Sequence, residues 1–272
     1  MLSQNFVGAC VPTSDVQTFD GVTVSTDGKV ATLTLNRPDS VNALSASMMA
    51  GLNAALGTIE TGGFRALILT GSGRGFCSGA DMKELAAHRT RGAGLVLERV
   101  FHPLFRRLRD LNMPIVTAVN GPAVGIGMSL ALMGDLILAA RSAYFLLSFS
   151  RIGLVPDGGI TWLLPRLIGL ARARELALLA EKLPAERALE WGLINQVTDD
   201  TSLMDEAQAL ARRLADGPAA LPMARKLFWD LESHEAQLAR EAEAQQRAGM
   251  TEDFAEGLAA FQQKREPKFS GE

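Results

Sequence analysis

The chain has 272 residues, of which 47% are hydrophobic and 21% charged, so it is long enough to bury a sizeable core. A formal net charge of −3, with no dense run of Lys and Arg before the C-terminal end, argues against a nucleic-acid-binding protein. The two cysteines, Cys10 and Cys77, do not make a disulfide framework, and neither has a second metal ligand at a suitable spacing. We therefore expect a cytoplasmic protein without a metal site.

No segment predicts export or membrane insertion. Residues 1–20 lack Lys and Arg and fit neither a signal peptide nor a transit peptide, and we interpret them as a loose N-terminal extension. The most apolar internal stretch, Ile126 to Ala140, is interrupted by glycine and polar residues and is too broken to span a bilayer.

The first 180 or so residues alternate between strand and helix patterns. Residues Val30 to Leu35 alternate between two faces, which predicts a half-buried strand. Ser45 is expected to cap a helix that ends at Gly62. A helical stripe from Leu97 to Leu111 contains Pro103, which must kink the helix or mark a restart. Short apolar runs bounded by turn residues predict four further strands: Ala66–Thr70, Ile115–Val119, Leu136–Ala140 and Ala143–Phe149.

From about Pro184 onward the pattern is almost entirely helical, which predicts an α/β core over residues 21–198 and a C-terminal helical region over 199–272. The apolar faces of these helices fit a subunit interface or packing on the core equally well. The predicted C-terminal helices are Leu203–Ala215, Leu221–Leu231, Ala236–Ala248 and Phe254–Gln263.

Two glycine-containing loops, Gly71 to Asp81 and Asn120 to Gly127, each follow a predicted strand and precede a helical segment. Glycine lets a ligand approach the main chain, and unpaired N–H groups at a helix start carry partial positive charge, so two such loops could form an oxyanion hole. Such loops are also commonly simple turns. Neither matches a dinucleotide-binding or phosphate-binding glycine motif, which leaves acyl chemistry as the better functional hypothesis.

Three motifs along the chain carry a resemblance: Gly75-Phe-Cys-Ser-Gly-Ala-Asp81, Ala118-Val-Asn-Gly-Pro-Ala-Val-Gly125 and Ile152-Gly-Leu-Val-Pro-Asp-Gly-Gly159. Through them the chain resembles a known family, the crotonase or enoyl-CoA hydratase/isomerase superfamily, from about Gly21 to Gly271. The resemblance implies the α/β fold shared with Clp peptidases, a spiral of strand–strand–helix units with a C-terminal helical layer. It also implies an acyl-CoA thioester substrate, with coenzyme A as part of the substrate and no separate cofactor, and a trimer or dimer of trimers.

The resemblance assigns roles to particular positions. The backbone N–H groups of Ala80 and Ile126 would form the oxyanion hole, and the neighbouring pocket would include Gly125, Gly127 and Ser129. Contacts to coenzyme A would fall on seven residues, with the Arg and Lys side chains as phosphate partners unless they are simply solvated: Ser78, Asp81, Met82, Ala43, Leu44, Arg37 and Lys83. The basic tail of Lys264, Arg265 and Lys268 would approach the phosphates or remain in solvent.

The resemblance also bears on the reaction. Hydratases of this family use two glutamates, and the matching positions here are Ser129 and Phe149, which disfavours hydration by that mechanism. Asp157 matches the acidic residue of isomerases, which moves a proton from the α carbon to the γ carbon. Phe149 and Trp162 are expected to give Asp157 apolar surroundings that raise its pKa and exclude water.

Several alternatives stay open at this stage. Asp157 could belong to a plain Pro-Asp-Gly turn, could be a nucleophile as in aryl-CoA dehalogenases, or could serve ring-modifying enzymes that isomerise an epoxidised phenylacetyl-CoA. Ser129 could be a peptidase nucleophile with His88, His102 or His234 as base, although its surroundings lack the G-x-S-x-G motif. A hydratase with atypical residues and a non-catalytic acyl-CoA-binding relative complete the set.

Overall fold

The computed structural model of the protein describes residues 16–87, 92–218, 220–229 and 234–268. The strands are β1 (Gln17–Phe19), β2 (Val22–Asp27), β3 (Val30–Leu35), β4 (Ala66–Gly71), β5 (Ile115–Val119), β6 (Ala123–Val124), β7 (Leu136–Ala140), β8 (Tyr144–Leu146), β9 (Leu183–Pro184) and β10 (Gln196–Thr198). The helices of the first two thirds are α1 (Ala46–Thr61), α2 (Met82–Ala87), α3 (Ala93–Val96), α4 (His102–Asp110), α5 (Ile126–Ala131), α6 (Ile160–Ile168) and α7 (Leu170–Leu179). The later helices are α8 (Ala185–Glu190), α9 (Leu203–Ala215), α10 (Ala220–Trp229), α11 (His234–Ala248) and α12 (Glu252–Gln263).

Two sheets organise these elements. The larger has the order β1-β2-β3-β4-β5-β7-β10, antiparallel from β1 to β3 and parallel from β3 to β10, and the smaller has the order β6-β8-β9. Strands β5 and β6 lead into α5, and strands β7 and β8 lead towards α6, so each turn of the chain contributes one strand to each sheet before a helix. This is the strand–strand–helix repeat that the sequence predicts. All five residues of β5 are buried, as expected for a central parallel strand.

Most predicted elements are present at the predicted positions. The side-chain oxygen of Ser45 accepts a hydrogen bond from the N–H of Met48 at 3.2 Å and so caps α1, which ends before Gly62. Pro103 lies in the first turn of α4, directly after a π-helical segment, Leu97–Phe101, so the stripe restarts there. Among the described residues, no helix is long and apolar enough to cross a bilayer.

Several predictions need correction. Gln17–Phe19, at the end of the predicted N-terminal extension, forms β1, and Val22–Asp27 forms β2 beside it. The strand predicted for Ala143–Phe149 is only Tyr144–Leu146, because Phe149 begins a 3₁₀ helix, Phe149–Ile152. Strand β10 also interrupts the region that the sequence predicts to be helical.

The C-terminal helices divide between two packing roles. Helix α9 packs on β3, β4 and β5, and its buried residues Leu203, Ala207, Ala211 and Ala215 face the core of the same chain. Helix α11 packs against α3 and the π-helical segment, which brings it beside the glycine loops. The apolar face of α9 therefore serves the chain's own core.

Candidate active site

The two glycine loops and the Pro-Asp-Gly turn meet at one cavity of about 70 Å³. Gly79, Ala80, Gly125 and Ile126 line it, and so does Asp157. Apolar side chains from α3, the π-helical segment and the 3₁₀ helix complete most of the enclosure, and Asp157 is the single titratable group among the described residues that line it. The remaining lining residues are Ser78, Met82, Leu85, Ala93, Val96, Leu97, Phe101, Ser148, Phe149, Ile152, Leu154 and Gln245.

The first loop presents the main-chain amide of Ala80. The N–H of Leu44 donates to the carbonyl of Gly79 at 2.8 Å, and the N–H of Asp81 donates to the carbonyl of Leu44 at 3.0 Å. In this parallel pairing the N–H of Ala80 points away from Leu44. Asn42, which is fully buried, braces the loop from below through hydrogen bonds from its amide nitrogen to main-chain carbonyls.

The second loop presents the main-chain amide of Ile126. Gly125 has φ +55° and ψ −130°, a conformation that favours glycine, and Ile126 is the first residue of α5. An amide in the first turn of a helix has no acceptor within that helix. Neither the Ala80 N–H nor the Ile126 N–H has an acceptor among the residues described by the structure.

The two loops run side by side. Cys77 and Ala123 form a parallel bridge, and the N–H of Val124 donates to the carbonyl of Cys77 at 2.9 Å. A β-carbon placed on Gly79 would lie 3.0 Å from the oxygen of Val124 and 3.9 Å from the nitrogen of Ile126. A side chain at position 79 would crowd the main chain of the second loop, and φ +99° also favours glycine there, so Gly79 lets the two loops lie this close.

Asp157 is buried, with 4% of its surface exposed, and is held at both its main chain and its side chain. The Ser129 hydroxyl donates to the main-chain carbonyl of Asp157 at 2.8 Å. The amide nitrogen of Gln245 donates to Oδ2 of Asp157 at 3.0 Å. Pro-Asp-Gly is thus a turn, but one that fixes a carboxyl group inside a cavity lined mainly by apolar side chains.

The structure gives Ser129 a role other than that of a pocket residue or a nucleophile. Its hydroxyl neither bonds the preceding helical turn nor lines the cavity, but reaches across to the turn that carries Asp157. A β-carbon placed on Gly158 would lie 2.8 Å from Cβ of Ser129, so the contact is tight. No histidine of the described residues hydrogen-bonds this hydroxyl, which removes the geometric basis for a serine nucleophile.

Gln245 is the site residue that the sequence interpretation misses. It lies on α11, 88 residues beyond Asp157, and is 3% exposed. A signal exists in the sequence, because Leu238, Ala242, Gln245 and Gly249 share one buried stripe of the helix. A glutamine in an otherwise apolar stripe indicates a buried polar partner.

Besides Ser129, two of the predicted pocket residues, Trp162 and Gly127, lie outside the cavity lining. Trp162 does not line the cavity: its ring stacks on Trp229, with centroids 6.0 Å apart, and meets His234 edge-on. Trp162 points away from the cavity because α6 begins directly after Gly159, and this start places Trp162 on the face of the helix that meets α10 and α11. Gly127 faces the carbonyl of Cys77 rather than the cavity. Phe149, in contrast, lines the cavity.

Comparison with known proteins identifies the family of this chain. Residues 25–272 match the family model described as enoyl-CoA hydratase/isomerase. The chain is 47% identical over 249 residues to a 1,2-epoxyphenylacetyl-CoA isomerase from Escherichia coli (strain K12), covering 89% of this chain and 95% of the relative. It is 45% identical over 249 residues to a probable enoyl-CoA hydratase from Rhodobacter capsulatus, with the same coverage. The chain belongs to the enoyl-CoA hydratase/isomerase family.

Solved structures of this family share the fold. The crystal structure of an enoyl-CoA hydratase from Mycobacterium avium subsp. paratuberculosis K-10 superimposes with a TM-score of 0.82 and 36% identity, over 93% of this chain and 100% of that one. An enoyl-CoA hydratase/isomerase from Pseudoalteromonas atlantica T6c gives a TM-score of 0.82 with 32% identity, over 92% and 100%. The predicted crotonase-like α/β fold is therefore confirmed, and the protein is an acyl-CoA enzyme of this family.

In the setting of this family, the residues predicted to contact coenzyme A surround the first loop. The Arg37 guanidinium donates to the carbonyl of Ala43 at 2.6 Å and to Oδ2 of Asp81 at 3.2 Å. Oδ1 of Asp81 accepts from the N–H of Lys83 at 3.1 Å, at the start of α2. Arg37 and Asp81 therefore brace the loop against the segment that holds Ala43, whereas the Lys83 side chain is exposed.

The other predicted coenzyme A contacts divide between the core and the cavity. Leu44 is buried, and Ser78 and Met82 are half-buried on the cavity lining. In the basic tail, the Arg265 guanidinium donates to a carboxylate oxygen of Glu256 at 2.7 Å, so this arginine is held on α12.

A second, larger cavity of about 370 Å³ adjoins the first and shares with it Ala80, Leu85, Val96 and Phe101. Its wall is mostly apolar, with Asp81, Glu84 and Arg99 among its lining residues. Ala80 thus lies at the junction of the small cavity, which Asp157 also lines, and the larger cavity.

The histidines do not supply a base at the cavity. His102 and His234 are buried, and burial, assisted by the charge of Arg106 for His102 and of Arg109 for His234, lowers the pKa of both to about 4. Neither lines the cavity, and His88 lies outside the described residues. Within the described part of the chain, no cluster of His, Cys, Asp and Glu is arranged to hold a metal ion.

Proposed function

We propose that this enzyme is an enoyl-CoA isomerase in which Asp157 moves a proton between the α and γ carbons of an acyl-CoA thioester. The observation that carries the proposal is a single buried carboxyl group on a cavity that Ala80 and Ile126 also line. In this proposal the two N–H groups bind the thioester oxygen, where negative charge develops as the α proton leaves.

The reaction needs one base and two donors. The Asp157 carboxylate removes the α proton of a β,γ-unsaturated thioester, and the electron pair moves through the thioester carbon to the oxygen held by the two amides. The resulting dienolate takes a proton from the same carboxyl group at its γ carbon, which leaves an α,β-unsaturated thioester and regenerates the carboxylate. One carboxyl group suffices because it acts first as the base and then as the acid.

The cavity composition favours isomerisation over hydration. The two positions that match the hydratase glutamates are Ser129, whose hydroxyl is committed to the carbonyl of Asp157, and Phe149, which is apolar. A hydratase needs a group that activates water beside the β carbon, and no second titratable side chain among the described residues lines this cavity. Apolar walls also keep the dienolate away from solvent.

A ring-bearing acyl group is the second candidate for the substrate, still within isomerase chemistry. The similarity to a 1,2-epoxyphenylacetyl-CoA isomerase, at 47% identity, favours it. The apolar cavity of about 370 Å³ beside Ala80 also offers room for a ring or a short chain.

The test follows solvent deuterium. Wild-type enzyme is incubated in D₂O with a straight-chain β,γ-unsaturated acyl-CoA and, separately, with a phenylacetyl-type thioester, and label at the α and γ positions is measured by mass spectrometry. We expect a shifted double bond for the straight-chain substrate, with label at these positions to the extent that the Asp157 carboxyl proton exchanges with D₂O before it is returned. Asp157→Asn should reduce both by about 10²-fold or more, because the base is lost.

Asp205→Asn is the matched control, since Asp205 is an exposed aspartate in the first turn of α9, remote from the cavity lining. It should keep wild-type rates. Formation of a 3-hydroxyacyl product without a double-bond shift would contradict the proposal and favour hydration. Full activity of Asp157→Asn would exclude Asp157 as the base.

A further inference from the structure

Gln245 occupies a position that neither the family motifs nor the glycine loops account for. It is one of the few buried polar side chains of the described residues and lies on the cavity wall beside Asp157. It comes from α11, in the C-terminal helical region, whereas Asp157 comes from the core. The side chain therefore joins two parts of the fold at the proposed base.

The orientation of the Gln245 amide is fixed by its two partners. Its Oε1 accepts from the main-chain N–H of Val155 at 3.2 Å. A main-chain N–H can only donate, so the oxygen of the amide must face Val155 and the NH₂ group must face Asp157. The 3.0 Å hydrogen bond to Oδ2 of Asp157 then follows from geometry rather than from a choice of side-chain flip.

This arrangement acts on the carboxyl group in two ways. An N–H donor stabilises the ionised carboxylate relative to the neutral acid, which keeps Asp157 competent as a base. The hydrogen bond also fixes the rotation of the carboxyl group, while the Ser129 hydroxyl fixes the main chain of the same residue. A base that is held in one geometry reacts faster than one that must find it.

We propose that Gln245 is a positioning residue that holds the Asp157 carboxylate ionised and oriented towards the substrate. This inference rests on the proposed isomerase function, because it concerns the base of that reaction. Gln245 itself transfers no proton and touches Asp157 rather than the reacting carbons.

The test compares Gln245→Glu with Gln245→Met by the pH dependence of kcat in the deuterium-exchange assay. In the Gln245→Glu variant, the introduced carboxyl group can, while protonated, still accept from Val155 and donate to Asp157, so it replaces the amide. Once ionised, it is a second negative charge beside Asp157 and has no proton to donate. The introduced carboxyl group and that of Asp157 then share one proton at intermediate pH, as two neighbouring carboxyl groups do.

We therefore expect Gln245→Glu to show near wild-type kcat between the two pKa values of the pair, where it holds one proton, and a loss of about tenfold or more as the pH rises through the upper pKa. Wild type should lack this alkaline limb. Gln245→Met, which has similar length but no donor, should lose about tenfold or more of kcat, with its acid limb moved to higher pH. KM for the thioester should change by less than about threefold in both variants, because the oxyanion amides are untouched.

Gln262→Glu and Gln262→Met serve as controls, because Gln262 is exposed on α12. They should match wild type in rate and in pH profile. Gln245→Asn, which keeps the amide but cannot reach both partners, should behave like Gln245→Met and replaces it if the methionine variant does not fold.

A Gln245→Glu profile parallel to that of wild type, in a folded and active protein, would overturn the role proposed for Gln245 alone. Absence of any double-bond shift in wild type would instead remove the proposed isomerase function, and the positioning role with it. The two failures are therefore distinguishable in one experiment.

Discussion

Gly125→Ala tests whether the Ile126 amide is part of the catalytic machinery. The backbone of Gly125, at φ +55° and ψ −130°, sets the direction of the peptide group that follows it. Space is not the obstacle, since an added β-carbon would lie 3.5 Å from Oγ of Ser148 and 3.9 Å from Cζ of Phe149, both ordinary contacts. The cost is therefore conformational, about 1–3 kcal/mol, and the chain relieves it by rotating the peptide that carries the Ile126 N–H.

The expected loss can be estimated from the role of one donor. Removing one oxyanion-hole hydrogen bond costs about 2.7–4 kcal/mol of transition-state stabilisation, which corresponds to about 10²–10³ in kcat. Partial rotation of the amide gives a smaller effect, so we expect Gly125→Ala to lower kcat by about 10–10³-fold. The assay is the initial rate of double-bond isomerisation, together with Tm by circular dichroism.

Gly28→Ala separates catalysis from stability. Gly28 has φ +58°, and an added β-carbon there meets nothing within 4 Å, so its cost is also conformational, about 1–2 kcal/mol. It lies in the turn between β2 and β3, and it should lower Tm by a few degrees while kcat stays at the wild-type value. If Gly125→Ala and Gly28→Ala lose similar amounts of Tm and also have equal kcat values, the Ile126 N–H is not a donor to the thioester oxygen.

Three further predictions concern the support of the site and the fold. Ser129→Ala should lower kcat by about tenfold and the free energy of unfolding by about 1 kcal/mol, because the main-chain carbonyl of Asp157 loses its hydrogen-bond donor. Kinetics and urea unfolding measure the two effects, and an unchanged kcat would contradict a role of this hydrogen bond in holding Asp157. Arg225→Met should lower the free energy of unfolding by about 3 kcal/mol, because it leaves the partly buried Asp135 carboxylate without its partner guanidinium, now 2.6 Å away. Burial raises the pKa of Asp135, and the charge of Arg225 offsets part of that rise. A urea midpoint equal to that of wild type would contradict this prediction. The buried imidazoles of His102 and His234 have their pKa lowered from 6.5 to about 4, so the unfolded chain binds more protons between pH 6.5 and 4. Stability should therefore fall as the pH drops through that window, by on the order of 1 kcal/mol per pH unit for each histidine, and a flat urea midpoint across it would exclude this linkage.

The predictable part of the fold is the part that local pattern encodes. Strand β3 alternates, helix α1 has a serine cap and a glycine stop, and α9 has a continuous apolar face, and all three are present at the predicted positions. Strand β2 is not among the predicted strands, although the sequence contains a signal for it. Val22 and Val24 alternate with polar residues, which is the same kind of pattern as in β3. Strand β10, at three residues, is too short for periodicity to reveal.

The predictable part of the candidate site is the part that family motifs mark. Asp157, Ala80 and Ile126 belong to motifs far apart in sequence, and the fold brings all three to one cavity. The prediction for Trp162 is wrong because proximity in sequence to Asp157 says nothing about which face of α6 it occupies. Gln245 escapes prediction because its contact with Asp157 spans 88 residues and depends on how α11 packs on the core.

A crystal structure with a bound acyl-CoA that cannot be isomerised gives the most direct measurement, the distances from the thioester oxygen to the two amide nitrogens. We expect the oxygen about 2.7–3.1 Å from both the Ala80 and the Ile126 nitrogens, with the Asp157 carboxylate in contact with the α carbon. A thioester oxygen bound by other groups, or an α carbon out of reach of Asp157, would contradict the mechanism.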